Sequence, residues 1–293
     1  MKYGTQLNAL GKPDLPEALD YARELGCDGL EVSLGVAALR TGQAQLPDLL
    51  AQAETLREAF DRAGLEFISL STGIMPKHAQ TPEVVTAACQ CAEALGVRAL
   101  RIFSSPHVRL GGPGSTLDEW HAEFDGATDA RDIMRRDAEN LAIFMELSQP
   151  YAVRWVFELH HGYTANSASG MLRLIERFPA DRMGILMDPG NMVFEGNEGW
   201  RNSIQLMGEY LDYIHCKNCQ WLREDGTWVK AQASLSEGIA DYPEIMTALK
   251  DLDFQGFLSI EDLRRGPTPE EKVGQGLAYL RALEASEERV MPV

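Results

Sequence analysis

Short β-rich runs alternate with amphipathic helix patterns eight times along this chain, and that alternation constrains the fold more than any other feature. The β-rich runs are Tyr3–Leu7, Gly29–Ser33, Glu66–Leu70, Ala99–Phe103, Arg154–Leu159, Met183–Met187, Tyr210–His215 and Phe257–Ile260. Several are nearly continuous in apolar residues, as strands covered on both faces are. Between them apolar residues recur at helical spacing. Leu15, Ala18, Leu19, Ala22 and Leu25 mark the first helix, with Asp14 and Glu17 placed as cap and third-position partner and Gly26 as the stop. The last helix opens on the capping box Thr268-Pro269-Glu270-Glu271. Strand then helix, repeated eight times, predicts an α/β fold: a (β/α)₈ TIM barrel, one domain over residues 1–293.

An open doubly wound sheet is the alternative, and it would carry a glycine-rich turn after its first strand. The turn here reads Asn8-Ala9-Leu10-Gly11-Lys12-Pro13, with one glycine. The connections Ser104–Thr128, which contains Gly111-Gly112-Pro113-Gly114, and Lys217–Ile239 are long. Both follow strand ends on the face where barrels carry their chemistry.

Charge and composition restrict the partners. Lys and Arg number 27 against 44 Asp and Glu, a formal charge of −17, which argues against nucleic acid as the main ligand. No run approaches the roughly 18 apolar residues of a transmembrane helix, so no membrane partner is expected. The start, Met1-Lys2-Tyr3-Gly4-Thr5-Gln6, has no apolar signal core, and the expected location is the cytoplasm. The five cysteines are expected as reduced thiols, and Cys216-x-x-Cys219 as incidental, because no second pair accompanies it.

Chemistry concentrates at the ends of the late strands. The fifth run reaches Glu158 and His160, the sixth Asp188, the seventh His215 and the eighth Glu261. In a barrel these strands are neighbours, so their ends converge. Three converging carboxylates repel one another and raise their pKa values, a penalty that a divalent cation removes. Three carboxylates and an imidazole suit Mn²⁺ first, with Mg²⁺ or Co²⁺ as alternatives. His160, two residues beyond Glu158, points to the same side if the strand continues, whereas His161 points away. Glu31, at the end of the second strand, is placed either to bind a substrate hydroxyl or to cap a loop, and Arg101, inside the fourth, needs a partner if it faces inward.

The chain resembles the xylose-isomerase-like barrel superfamily of sugar (phosphate) isomerases and epimerases. The likeness runs from Tyr3 to about Leu283 through Gly26-Cys27-Asp28-Gly29-Leu30-Glu31, Phe157-Glu158-Leu159-His160, Met187-Asp188-Pro189-Gly190-Asn191, Ile214-His215-Cys216-Lys217-Asn218, Glu237-Gly238-Ile239-Ala240-Asp241-Tyr242-Pro243 and Leu258-Ser259-Ile260-Glu261. It implies metal ligation by Glu158, Asp188, His215 and Glu261. In the ketose 3-epimerases of the superfamily, the two ligating glutamates also move the proton, and both positions are glutamate here. Two positions depart from that branch: Asn191 stands where those epimerases carry His, and Trp221 where they carry Arg. Lys217 resembles the His-x-Lys-Asp turn of other branches, with Asn218 replacing the Asp, and its alternative reading is a surface ion pair. His78 and His107 sit where the apurinic endonucleases of the superfamily hold further metals, a reading that the charge and the scarcity of late-loop ligands disfavour. Trp200, Trp221 and Trp228 can stack on a sugar or simply pack their loops.

The expected activity is therefore a divalent-metal isomerase or epimerase acting on a small polyhydroxylated ketone. Glu158 and Glu261 exchange the proton, and His160, Lys217, Asn191 and Glu31 contact substrate. A dehydratase or lyase of the inosose, dehydroshikimate or keto-glycoside type is the alternative on the same site, and a non-catalytic barrel subunit a third. The resemblance also allows a homo-oligomer.

Overall fold

The computed structural model describes residues 1–107 and 129–286. The expected long connection with its Gly111-Gly112-Pro113-Gly114 run lies outside the described residues from 108 onward. Eight parallel strands close into a barrel: β1 (Lys2–Gln6), β2 (Gly29–Ser33), β3 (Glu66–Ile74), β4 (Ala99–Ile102), β5 (Arg154–Glu158), β6 (Met183–Met187), β7 (Leu211–Cys216) and, as the eighth wall, β10 (Phe257–Ile260) beside β1. Around them run α1 (Leu15–Leu25), α2 (Leu46–Ala63), α3 (Pro82–Leu95), α4 (Ala130–Leu147), α5 (Ala168–Ile175), α7 (Trp200–Met207), α8 (Tyr242–Asp251) and α9 (Gln275–Ala285). The closed wall excludes the doubly wound sheet. No helix among the described residues is long and apolar enough to cross a membrane.

Local chemistry sets the helix ends. The Asp14 side chain accepts from the Glu17 N–H, and Gly26 ends α1 in the left-handed conformation at φ 89°. Thr268 and Glu271 form the reciprocal capping bonds expected ahead of the last helix.

Period-two alternation sorts each strand between two cores. On β5, Trp155 and Phe157 pack outward against the helices, while Val156 joins Ile68, Ala99, Leu186 and Tyr213 in an apolar layer inside the barrel. One step further along the same inward rows stand Glu31, Arg101, Glu158, His215 and Ser259, with Gln6, Asp188 and Glu261 beside them. An apolar floor thus carries a charged layer at the C-terminal ends of the strands.

Two elements depart from expectation. The segment after β7, expected as a long loop, is largely an antiparallel hairpin, β8 (Asn218–Glu224) with β9 (Thr227–Ala233). Its turn is Asp225-Gly226, both at positive φ (47° and 82°), the geometry that the Asp-Gly pair adopts most readily. A short helix, α6 (Pro189–Phe194), also starts immediately after β6. Asp188 caps it by accepting the Asn191 N–H at 2.9 Å.

Candidate metal centre

Glu158, Asp188, His215 and Glu261 each offer one ligand atom, and the four atoms lie within 4.8 Å of one another. His215 is fully buried. Its Nε2 meets Glu31 Oε1 at 3.0 Å. Its Nδ1 has no hydrogen-bond partner among the described residues. That nitrogen instead faces Glu261 Oε2 at 3.4 Å, Glu158 Oε1 at 3.7 Å and Asp188 Oδ2 at 3.8 Å. A neutral imidazole that donates through Nε2 points its Nδ1 lone pair at three carboxylate oxygens, an arrangement of acceptors only. A cation among them resolves it.

The charge count agrees. Glu31, Glu158, Asp188 and Glu261 face the fixed cations Arg101 and Lys217. With His215 neutral, as ligation of a metal requires, four carboxylates against two cations leave a deficit of two charges, the charge of a divalent ion. With no ion bound, burial opposes protonation of His215, but Glu31 and Glu261 outweigh it and raise the imidazole well above its ordinary value, so a proton there carries part of that charge. Burial pushes the Glu158 carboxyl upward, but Arg101 and His215 outweigh it and hold the group at about 2. Burial likewise opposes ionisation of Glu261, and Lys217 and His215 keep it well below the usual carboxylate range. Both glutamates are therefore ionised, the form required of a base.

Lys217 is not on the surface. It is 4% exposed, and its Nζ bridges Asp188 Oδ2 and Glu261 Oε2 at 2.6 Å each. Burial lowers the pKa of its ammonium, but Asp188, Glu261 and Glu158 overcompensate and raise it above the ordinary lysine value. The surface ion-pair reading fails because Tyr242 Oη donates to the Lys217 carbonyl at 2.9 Å and Gly190 leaves room for the side chain to pass inward.

Glu31 lies beneath the cluster. Besides His215, it accepts from Ser259 Oγ at 2.5 Å, Tyr213 Oη at 3.0 Å and Ser69 Oγ at 3.2 Å. Its carboxylate holds the imidazole in place and also lines a cavity beside the cluster. Arg101 faces inward, 3.5 Å from Glu31 Oε2 and 3.6 Å from Glu158 Oε2.

Asn191 is buried, and its Nδ2 donates to Asp188 Oδ2 at 2.6 Å and to Glu158 Oε1 at 3.3 Å. Its Oδ1 lies 2.9 Å from His161 Nδ1. His161 thus joins the site, contrary to expectation, because β5 ends at Glu158 and strand alternation stops with it. Burial, then His160, pushes the His161 imidazole down to about 4, so it is neutral and Nδ1–H donates to Asn191. His160 stacks on His161 with its Nδ1 2.8 Å from the His161 carbonyl, edge-on to Phe103 and Tyr163.

Gln6 carried no signal in the sequence, yet its Nε2 donates to Glu261 Oε1 at 2.6 Å. Trp200 is buried, Trp221 packs on Phe194 and donates to the Val193 carbonyl, and Trp228 is exposed beneath Arg223. Neither His78 nor His107 belongs to a second metal-ligating cluster among the described residues. Cys216 and Cys219 are buried free thiols.

A family model for xylose isomerase-like TIM barrels matches residues 19–283. The chain belongs to that family. No curated protein sequence matches it. Solved structures of the xylose isomerase-like fold superpose over nearly its whole length. The 3-keto-D-glucoside 4-epimerase YcjR of Escherichia coli, in its apo form, is 15% identical with a TM-score of 0.70, covering 96% of this chain and 99% of that one. A probable 3-DHS dehydratase of Bacillus anthracis, AsbF, is 16% identical with a TM-score of 0.69, covering 96% and 99%. The IolI protein with a bound zinc atom is 15% identical with a TM-score of 0.71, covering 97% and 98%. At these identities the likeness establishes the fold.

Proposed function

We propose that this xylose isomerase-like barrel is a divalent-metal-dependent isomerase or epimerase of a small polyhydroxylated ketone. The observation that carries the reading is the unpartnered His215 Nδ1 facing Glu158, Asp188 and Glu261. A divalent ion held by these four residues supplies Lewis-acid stabilisation of negative charge developing on a ketone oxygen. The chain's own groups do the rest. Glu158 approaches from β5 and Glu261 from β10, with β6 and β7 between them. One carboxylate takes the proton from the carbon beside the ketone. In an isomerase the same group, now protonated, returns it to the neighbouring carbon. In an epimerase the other glutamate, protonated from solvent beforehand, delivers its proton to the opposite face while the first keeps the one it took. Arg101 orients the Glu158 oxygen turned away from the cluster, and Gln6 fixes the corresponding oxygen of Glu261. A cavity of about 390 Å³, lined in part by Gln6, Asn8, Glu31 and Arg101, gives the substrate its place.

One observation favours a second outcome on the same site. Lys217 is a buried, protonated ammonium beside both Asp188 and Glu261, and such a group can protonate an oxygen that leaves after proton abstraction. Elimination then replaces reprotonation. AsbF, the probable 3-DHS dehydratase on this fold, supports keeping that reading.

The test incubates Mn²⁺-loaded protein with ketoses, inososes and keto-glycosides in D₂O. Deuterium should enter substrate or product at the carbon beside the ketone, and chelation should abolish the exchange. Glu158→Gln and Glu261→Gln should each lower turnover by about 10² or more at full metal occupancy. Full activity in metal-free protein, or near-native rates in both Gln variants, would overturn the proposal.

A further inference from the structure

The metal centre does not account for all of the concave space above the barrel. A second cavity, of about 520 Å³, opens on the other side of Gln6 and Asn8, from Glu261 outward to Arg264, Arg265 and Lys272. Gln6 and Asn8 line both cavities. Each cavity alone has the size of a small-molecule site. Of the four candidate ligands Glu261 lines this second cavity, so a substrate whose ketone lies at the metal centre has room there for a further substituent.

The charges along the second cavity identify the substituent. Its acidic groups are already committed. Glu261 is held by Lys217 and Gln6, and Asp262 takes the Arg264 guanidinium at 2.7 to 3.0 Å. The side chains of Arg265, which is exposed, and Lys272, which is half-buried, form no ion pair or hydrogen bond with the described residues. Two uncompensated cations thus line one cavity in a chain whose formal charge is −17. Their backbones are fixed. The Arg264 N–H donates to Asp262 Oδ1 at 3.0 Å and Gly266 turns the loop at φ 100°, which sets the position of Arg265 between them. The Lys272 N–H donates to the Thr268 carbonyl at 3.0 Å in the turn that leads into α9. A planar guanidinium and an ammonium brought to one cavity from two fixed backbones are the donors that bind a carboxylate or a phosphate.

We infer that this second cavity is a subsite for an oxyanion group, carboxylate or phosphate, carried by the substrate whose ketone lies at the metal centre. The inference rests on the proposed isomerase or epimerase reading for the reacting end of that substrate. The anion anchors one end of the molecule, and Gln6 stands between that anchor and the proton-transferring carboxylates.

The test has an arm that needs no turnover. Metal-free full-length protein is titrated calorimetrically with inorganic phosphate and, separately, with acetate, at constant ionic strength. The same titrations are run on an Arg265→Gln/Lys272→Gln double variant whose fold is verified by circular dichroism. The wild type should bind at least one of the two anions about tenfold more tightly than the double variant does. The preferred anion tells phosphate from carboxylate. Equal binding by the two proteins, or no saturable binding by either, overturns the subsite. A second arm compares solvent-deuterium exchange on ketoses with that on their phosphates and on keto-acid sugars. Wild-type protein should favour one charged class by about tenfold in kcat/KM, and the double variant should lose that preference. Exchange on neutral and charged ketoses alike overturns the subsite while leaving the proposed reaction intact. Absence of exchange on every compound, with phosphate or acetate bound as expected, overturns the reaction and supports the subsite.

Discussion

Glu31→Gln is the perturbation whose outcome depends most directly on the geometry of the centre. The native carboxylate is an acceptor only, and it receives Ser259, Tyr213, Ser69 and His215 while facing Arg101. Gln has nearly the same shape but replaces one oxygen with an NH₂. The three hydroxyls can rotate and accept from it. Arg101 cannot accept, and His215 accepts through Nε2 only if its proton moves to Nδ1, which then points at the carboxylates in place of a lone pair. Arg101 loses one of its two carboxylate partners, keeping Glu158, and the ligand imidazole loses the acceptor that fixes its tautomer. Removing one partner of a buried charged network of this kind costs about 3 kcal/mol. Loss of the group that orients a ligating histidine lowers metal affinity by about 10- to 100-fold, or about 1.4 to 2.7 kcal/mol. Urea unfolding of metal-free protein measures the first quantity, free of any contribution from metal binding. Calorimetric titration with Mn²⁺ measures the second, and a two-bond ¹H–¹⁵N spectrum of histidine-labelled protein reports the His215 tautomer. If Glu31→Gln bound Mn²⁺ within twofold of wild type and unfolded at the same urea concentration, Glu31 would not be what orients His215.

Lys217→Met should slow product formation more than deuterium exchange if the enzyme eliminates, and slow both together if it isomerises; unchanged rates for both would remove Lys217 from the mechanism. Gly190→Ala places a Cβ 2.6 Å from Lys217 Cγ and 3.1 Å from its carbonyl carbon, and should lower stability by about 1 to 3 kcal/mol in thermal or urea melts. The folded pKa of His161, about 4, lies below the ordinary 6.5. The unfolded chain therefore binds this proton more tightly, and the stability that His161 contributes is full above about pH 6.5 and declines as the pH falls toward 4. His161→Gln, which keeps a donor for Asn191, should flatten the fall in Tm over that window, and a slope equal to that of wild type would contradict the burial argument.

The barrel was legible because its signals are local. A strand buried on both faces shows as an apolar run, and a charge at its end shows as a break in that run, which is how Glu158, Asp188, His215 and Glu261 stand out. The layer beneath them was not legible. Glu31 and His215 meet across 184 residues and Gln6 and Glu261 across 255, contacts that only barrel closure creates. His161 was misjudged by extending strand alternation past Glu158, the true end of β5. The hairpin β8–β9 did carry its turn signal, Asp225-Gly226. Its residues from Leu222 to Trp228 are exposed, however, so no apolar face marked the two arms as strands.

That hairpin is clasped at its base by Asn218, with Trp221 docked on Phe194 beside it. Asn218 donates from Nδ2 to the carbonyls of Leu235 and Ala240, and its Oδ1 accepts the N–H groups of Cys219 and Ala240. An Asp, with no N–H to give, could supply only the second half. Gly238 is confined to glycine because a Cβ there would run into the Asn218 side chain. The intervening segment is consequently a cartridge plugged into a fixed socket. Its tip can be trimmed, lengthened or exchanged for another sequence at a small entropic cost, because the wall strands on either side, β7 and β10, pair directly with each other whatever the cartridge contains.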